Sequence, residues 1–353
     1  MSSHYQTSDL EPGERPSLEE LYRVVYQDYW REKTKFRWFL DAPLFHAGAT
    51  VASEGNAILA AQPYCDIPLH TPSGTILGTL FFDAATHPAH RRRGLFTNVV
   101  GLARATAFKR GSSIVMTTPN RISFQGFQKL PDWSRLCSLD CLLLPLGSGG
   151  RISGSGFLTL GVRMGSAALA SLCTRLPRQR LESGQPFNVV SPWSPGGDAD
   201  ELWKTMAARG IIMAVRDQVF LRWRFDQDYR LFLARGTQGP TGYVATRVLA
   251  WKGIRIGLLL DCMNTGEGSS AKPLLAEAVG WLKRQGCTLA VGYFVQGSEP
   301  WRMIRDVGFL RVPLAVLPRD YPICVSVQPE NPHCAELLNP ARWHLSLADS
   351  DLV

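Results

Sequence analysis

The sequence predicts an α/β chain built as two copies of one unit. Three observations point there. Residues 47–85 read as three apolar strand runs separated by turn residues. A helix with apolar residues at helical spacing follows them directly. The same order of strands and helices then returns in the second half, 175 to 185 positions later.

A chain of 353 residues is long for one domain and comfortable for two. Hydrophobic residues make up 45% and charged residues 19%, enough to bury a core and too apolar for a disordered chain. Gly 32 and Pro 23 show no three-residue period, which excludes a collagen-like fibre. Lys and Arg exceed Asp and Glu by eight, a balance that suits an anionic ligand without requiring nucleic acid. The eight cysteines form no Cys-x-x-Cys pair, and no His pair stands at zinc spacing. They read as buried, reduced thiols of a cytoplasmic protein, with no metal site.

The first 16 residues are polar and lack the apolar core of a signal peptide, so they read as a disordered tail. From Ser17 a helix is expected, with Ser17 as N-cap, Glu20 three residues on, and an aromatic run to Trp38. Strands follow at Ala47–Ala52, Ala57–Cys65 and Thr75–Ala85. The next helix starts at Leu95, buries Leu95, Val99, Leu102, Ala103 and Thr106, and stops at Gly111. A strand over 114–118, a Pro119-Asn120 turn and a short helix over 122–130 complete the first module, residues 17–145.

Residues 146–184 read as a Gly/Ser linker and an apolar connecting helix over 157–181. Its most apolar stretch, Phe157–Leu176, is broken by Arg163 and Arg175 and falls short of a membrane span. The second module, residues 185–353, repeats the first. Phe36-Arg-Trp38 is echoed by Leu221-Arg-Trp223, 185 positions on, and Gly111 by Gly286, 175 positions on. The second copy has therefore lost about ten residues around the connection that carries Arg91-Arg92-Arg93-Gly94 in the first.

That connection carries the chemistry. The first N–H groups of a helix have no partner within the helix, and the helix dipole makes that end positive. Glycine allows a phosphate oxygen to approach the backbone, and arginines add bidentate charge at the rim. Three arginines ahead of a helix N-terminus are unfavourable for the helix alone, and a bound polyanion relieves that cost. The run reads as a pyrophosphate cradle.

Thr86-His87-Pro-Ala-His90-Arg91-Arg92-Arg93-Gly94-Leu95-Phe96 resembles motif A of the GCN5-related N-acetyltransferases (GNAT). Pro119-Asn120-x-x-Ser123, with Phe127 and Lys129, resembles the element that follows it in that superfamily. Leu221-Arg-Trp223-Arg-Phe225 and the tail from Trp343 to Asp351 resemble a bacterial subgroup with tandem GNAT modules. The resemblance implies two GNAT-like modules, each a mixed, mostly antiparallel twisted sheet flanked by helices. It implies an acyl-CoA-dependent acyltransferase that moves acetyl from acetyl-CoA to an amine by direct attack in a ternary complex. Donor contacts are then expected from Thr86, His87, Arg91, Arg92, Arg93, Gly94, Leu95, Phe96, Asn120 and Ser123. The partners are acyl-CoA and an amine acceptor, with no nucleic acid. Two alternatives stand beside it: transfer from aminoacyl-tRNA, and a CoA-binding sensor without turnover.

The chain departs from the family pattern. Phe96 stands where a small residue is usual, and Phe127 where many members carry a Tyr that protonates the leaving thiolate. The second copy's segment, Asn264–Ser270, has no Arg and carries Glu267, so that copy reads as degenerate. Asp83, at the end of the third strand, is the weak candidate for a base. Asp261, 178 positions later, occupies the same place in the copy without a cradle, which favours a structural role for both. His87 and His90 read as residues that shape the turn or contact phosphate rather than as bases, and Cys65 as a thiol with no paired His nearby in sequence.

Overall fold

The computed structural model describes residues 5–27, 45–146, 188–251, 254–265, 271–317 and 320–350. The expected linker and connecting helix, and the aromatics from Tyr29 to Phe39, lie outside them. The chain divides into two compact units, each discontinuous in sequence. Unit 1 is Met1–Cys137 with Pro322–Pro340, and unit 2 is Ser138–Tyr321 with Ala341–Val353. The sequence reading had two contiguous modules.

The first half contributes strands β1 (Gln6–Asp9), β2 (Ala47–Glu54), β3 (Ala57–Thr71), β4 (Gly74–Phe81), β5 (Ala85–Thr86), β6 (Ile114–Thr117) and β7 (Ser134–Pro145). Its helices are α1 (Arg15–Tyr26), α2 (Leu95–Lys109) and α3 (Arg121–Phe127). The second half contributes β8 (Asn188–Val190), β9 (Met213–Ala214), β10 (Tyr229–Gly236), β11 (Gly239–Trp251), β12 (Ile254–Asn264), β13 (Leu289–Val295), β14 (Leu310–Arg311) and β15 (Pro322–Val327). Its helices are α4 (Gly197–Ala207), α5 (Gln218–Arg224), α6 (Ala271–Arg284), α7 (Glu299–Asp306) and α8 (Cys334–Leu337).

The two units use one topology. In unit 1 the order is β1-β2-β3-β4-β6-β15, antiparallel except for the parallel pair β4–β6. In unit 2 it is β8-β10-β11-β12-β13-β7, antiparallel except for the parallel pair β12–β13. Each parallel pair is bridged by a helix, α2 in unit 1 and α6 in unit 2, as a parallel connection requires. The sixth strand of each sheet comes from the other half of the sequence. β15, from the second half, pairs with β6, and β7, which follows the first half's elements, pairs with β13.

The third strand of each copy carries a one-residue bulge. Phe81 lies opposite Tyr64 and Ala85 opposite Ala61, so three residues face two. In unit 2, Asp261 lies opposite Ala245 and Leu259 opposite Thr246, with Leu260 extra. The alternation of apolar residues hides this bulge, which is why the third strand reads as one run to Ala85.

The N-terminal segment corrects the sequence reading. Residues 6–9 pair with β2 from Gln6↔Ser53 to Asp9↔Thr50, so they are not a disordered tail. Helix α1 begins at Arg15, two residues before the expected start, and Ser17 is not its N-cap. The Ser17 hydroxyl instead accepts the Ile58 N–H at 2.8 Å, fastening α1 to β3.

Burial explains the two central helices. α2 buries Leu95, Val99, Val100, Ala103 and Ala107, while Leu102 and Thr106 are half-buried. α6 buries Leu274, Leu275, Ala278, Val279 and Leu282, the face its periodicity predicts. Gly111 (φ +91°) and Gly286 (φ +75°) end them in the left-handed conformation.

Candidate functional site

The loop from β5 to α2 presents a helix end with its amides bare. Gly94 is the N-cap of α2, at φ +80° and ψ −3°, and no side chain caps it. Its carbonyl accepts Asn98 N–H at 3.0 Å, which starts the helical ladder. A Cβ built on Gly94 meets no atom within 4 Å. The space beside the N-cap is therefore open, and the left-handed φ favours glycine. Arg92, at φ +63°, is also left-handed, so the backbone turns twice within three residues.

The three arginines are unneutralised. No carboxylate among the described residues pairs with Arg91, Arg92 or Arg93. Arg91 Nε reaches the Thr86 carbonyl at 3.4 Å, and Arg93 Nη1 donates to the Tyr5 hydroxyl at 2.9 Å. Tyr5 also lies 3.2 Å from His90 Nδ1. His87 Nδ1 accepts Ala89 N–H at 3.3 Å and its ring meets His90 edge-on at 5.3 Å. Both histidines hold the turn in shape. The concentration of positive charge on a positive helix end is an anion-binding arrangement.

Asn120 and Ser123 sit at the start of α3. Asn120 Oδ1 accepts the N–H groups of Ile122 (2.9 Å) and Ser123 (3.0 Å), and Ser123 Oγ donates to the Asn120 carbonyl at 3.2 Å. The Asn120 oxygen is therefore spent on its own helix, an N-cap use typical of the residue. Its amide NH2 group, on an exposed side chain, is the part left to face a ligand.

Phe96 and Phe127 are explained by packing. Their rings meet edge-to-face at 5.3 Å, and Phe127 meets Trp133 at 4.6 Å. Phe127 is 2% exposed, a core residue with no proton to give. Space for Phe96 comes from Gly126, where a Cβ would stand 2.7 Å from Phe96 Cε1. The Phe96–Gly126 pair was missed from the sequence, although a large residue where a small one is usual is the signal for a compensating small one nearby.

Asp83 lies in the bulge of the third strand at φ +42°. Its carbonyl accepts the Tyr22 hydroxyl at 2.6 Å, and the Ala84 carbonyl accepts the Tyr26 hydroxyl at 3.2 Å, so α1 clamps the bulge. Its counterpart Asp261 is wholly buried and holds a network. It accepts from Arg216 Nε (2.9 Å), the Tyr243 hydroxyl (2.7 Å), Ser346 Oγ (3.0 Å) and Cys262 N–H (3.0 Å), and faces His344 Nε2 at 2.8 Å. Burial pushes the Asp261 carboxyl up, but Arg216, His344 and these hydrogen bonds outweigh it and hold the group well below the usual carboxylate range. Arg216 also reaches Asp349 Oδ1 at 2.7 Å, and Arg224 binds the carbonyls of Leu347, Ala348 and Ser350. The conspicuous C-terminal segment is thus a bolt on unit 2.

Cys65 is buried, and burial with the neighbouring Asp66 pushes its thiol up to about 12. It is not a nucleophile at neutral pH. Among the described residues no three His, Cys, Asp or Glu side chains gather to hold a metal. Nor is any described helix long and apolar enough to cross a membrane. In the second copy, residues 266–270, including Glu267, lie outside the described residues.

No known family's sequence profile matches this chain, and no curated protein sequence does. Solved structures do. A GCN5-related N-acetyltransferase from Anabaena variabilis superposes with a TM-score of 0.61 at 7% identity, covering 92% of this chain and 73% of that one. Saccharomyces cerevisiae N-myristoyltransferase with bound myristoyl-CoA gives 0.60 at 12% identity, over 92% and 83%. A GCN5-related N-acetyltransferase from Kribbella flavida gives 0.55 at 10% identity, over 92% and 71%. With the repeated sheet described above, the chain has the fold of these GCN5-related N-acetyltransferases.

Proposed function

We propose that the protein is an acyl-CoA-dependent acyltransferase, and that its reaction is acetyl transfer from acetyl-CoA to an amine. The observation that carries this reading is the uncapped N-terminus of α2, with Gly94 open and no carboxylate among the described residues pairing with Arg91, Arg92 or Arg93. The residues present fit a pyrophosphate: the N–H groups at and after Gly94, including those of Leu95 and Phe96, receive its oxygens, and the guanidinium forks close the rim. Thr86 and His87 shape the entry, and the Asn120 amide with Ser123 lies along the arm. The fold neighbours support the donor class, since one is an N-myristoyltransferase with bound myristoyl-CoA and others are N-acetyltransferases.

The donor supplies an activated acyl carbon when bound. The protein's own part is to hold and orient it beside the amine, which at best supplies roughly 7–11 kcal/mol of the barrier. Transfer is direct, because the buried Cys65 thiol is no acyl carrier. A nitrogen–carbon bond forms, the carbon–sulfur bond breaks, and the amine proton passes to solvent through water. Phe127 leaves no protein acid at that position, so coenzyme A departs as thiolate. Asp83 serves the bulge through its backbone, and the proposal gives it no proton-transfer role.

Phe127 also favours the second reading, a CoA-binding sensor without turnover. The intact arginine loop counts against transfer from aminoacyl-tRNA, which does not use one. The test is calorimetric titration of the full chain with acetyl-CoA and free coenzyme A, followed by thiol-release assays over a panel of amines and amino sugars. Binding with thiol release supports the transferase, and binding without release on any amine selects the sensor. Absence of binding by both thioester and free coenzyme A overturns both.

A further inference from the structure

Unit 2 holds an open cleft of about 530 Å3 that the acyltransferase reading does not use. It lies between the segment Pro192–Pro195, the loop after α5 and the start of β10, with Trp281 of α6 on one wall. That volume suits a small molecule. Trp193, Phe225 and Tyr229 are seated in the body of the unit, and Trp281 is only partly buried.

Two guanidiniums complete the walls. Arg230 donates from Nε to Ser191 Oγ at 2.9 Å, with its carbon 5.8 Å from the centre of the Trp281 ring. Arg222 donates from Nε to the Pro195 carbonyl at 2.6 Å. Neither pairs with a carboxylate among the described residues. In each, one edge of the group is fixed to the protein and the Nη edge remains, a geometry matched to a two-oxygen anion. Asp226 and Asp228 stand exposed on the lining. Asp228 pairs with Arg247 at 3.6 Å, and Asp226 Oδ1 accepts the Asp228 N–H at 3.0 Å. The lining carries two arginines and two aspartates, and one of the aspartates, Asp228, is already taken up by Arg247 outside it.

We infer that this cleft binds a small flat ligand, an aromatic ring carrying one carboxylate. The ring lies against Trp281, the partly buried aromatic of the lining, and the carboxylate meets the Nη edges of Arg222 and Arg230. Stacking fixes the ring, and the forks fix the direction of its acid. The site belongs to the copy that lost its arginine loop, so it is a binding function separate from the donor cradle.

The test is titration calorimetry of the full chain with indole-3-acetate, and with tryptamine, which has the same ring and the opposite charge. Indole-3-acetate is expected to bind one to one, and tryptamine about tenfold more weakly or not at all. Arg230→Gln is expected to weaken indole-3-acetate about tenfold, the loss of a charge-assisted hydrogen bond. Trp281→Leu is expected to weaken both ligands. Arg222→Gln, at an exposed position that tolerates change, repeats the test should Arg230→Gln melt early. The proposal is overturned if the wild type does not bind indole-3-acetate, if tryptamine binds as tightly, or if both arginine variants leave the affinity unchanged.

Discussion

The Tyr5 hydroxyl accepts a hydrogen bond from Arg93 Nη1 at 2.9 Å, across 88 positions of sequence. The ladder between β1 and β2 sets this meeting, because it carries the N-terminal segment to the start of α2. Arg93 is thereby held beside the start of α2, where the donor cradle is proposed. Tyr5→Phe is expected to weaken coenzyme A binding about fivefold, the worth of one hydrogen bond to a charged group at the low end. The melting temperature should hardly move, because the ring still packs on the cluster of Ala52, Leu59 and Leu95. Calorimetry showing wild-type affinity in this variant would release Arg93 from the argument.

Gly94→Val should abolish coenzyme A binding while the protein still folds. The added Cβ meets no atom within 4 Å beyond its chain neighbours, so the main cost to stability is the strain of a left-handed β-branched residue, about 1–2 kcal/mol. The space it fills is the one proposed for the phosphates. Titration calorimetry beside a thermal melt separates the two effects, and unchanged affinity would place the donor elsewhere.

Gly126→Ala should destabilise the protein, and Phe96→Leu should reverse part of the loss. The added methyl stands 2.7 Å from the Phe96 ring edge, and overpacking of this kind costs about 1–3 kcal/mol, against about 1 kcal/mol gained in helix propensity. Urea midpoints for the two single variants and the double variant form a cycle. Additive changes would mean that the two residues do not share one space.

The network at Asp261 predicts a pH dependence. Its carboxyl titrates well below its unfolded value near 4, so the folded state is favoured above about pH 4. That stabilisation is lost as the pH falls below this value and the carboxylate is protonated. Asp261→Asn should flatten this part of the profile of unfolding free energy against pH. It should also cost about 1–3 kcal/mol at pH 7, because Arg216 then keeps Asp349 alone as its ion partner in a wholly buried site. An unchanged acid profile in the variant would remove Asp261 as its source.

A fragment ending at residue 145 should fail to melt cooperatively. It lacks β15, so the β6 edge from Ile114 to Thr117 loses its antiparallel partner, and Cys324 leaves the core cluster around Phe127 and Trp133. Fusing residues 322–340 to the fragment should restore a cooperative transition in circular dichroism. A sharp melt from the short fragment alone would show that the exchanged strand is dispensable to unit 1.

Much of this was legible in the sequence where local chemistry decides. Leu95, Val99 and Ala103 mark the buried face of α2, and Gly111 and Gly286 mark the ends of two equivalent helices. Gly94 marks the turn into α2, and the structure places it as that helix's N-cap. Three features stayed hidden because they depend on distant partners. Gln6–Asp9 is too polar to read as a strand, and it becomes one through ladder bonds to β2. Asn120 looks like a ligand contact, yet its oxygen caps its own helix. The strand Pro322–Val327 was not read from the sequence, and nothing in it says that its neighbour lies two hundred positions back at Val115 and Met116.

That last pairing bears on how the protein is made. On the ribosome, the first half emerges first and waits, its sheet one strand short, while some two hundred more residues are synthesised. Synthesis at about 5–20 residues per second makes that delay on the order of ten seconds or more. Over that interval an apolar strand edge is open to other nascent chains, so the yield of active protein should rise with chaperone supply and fall with expression rate.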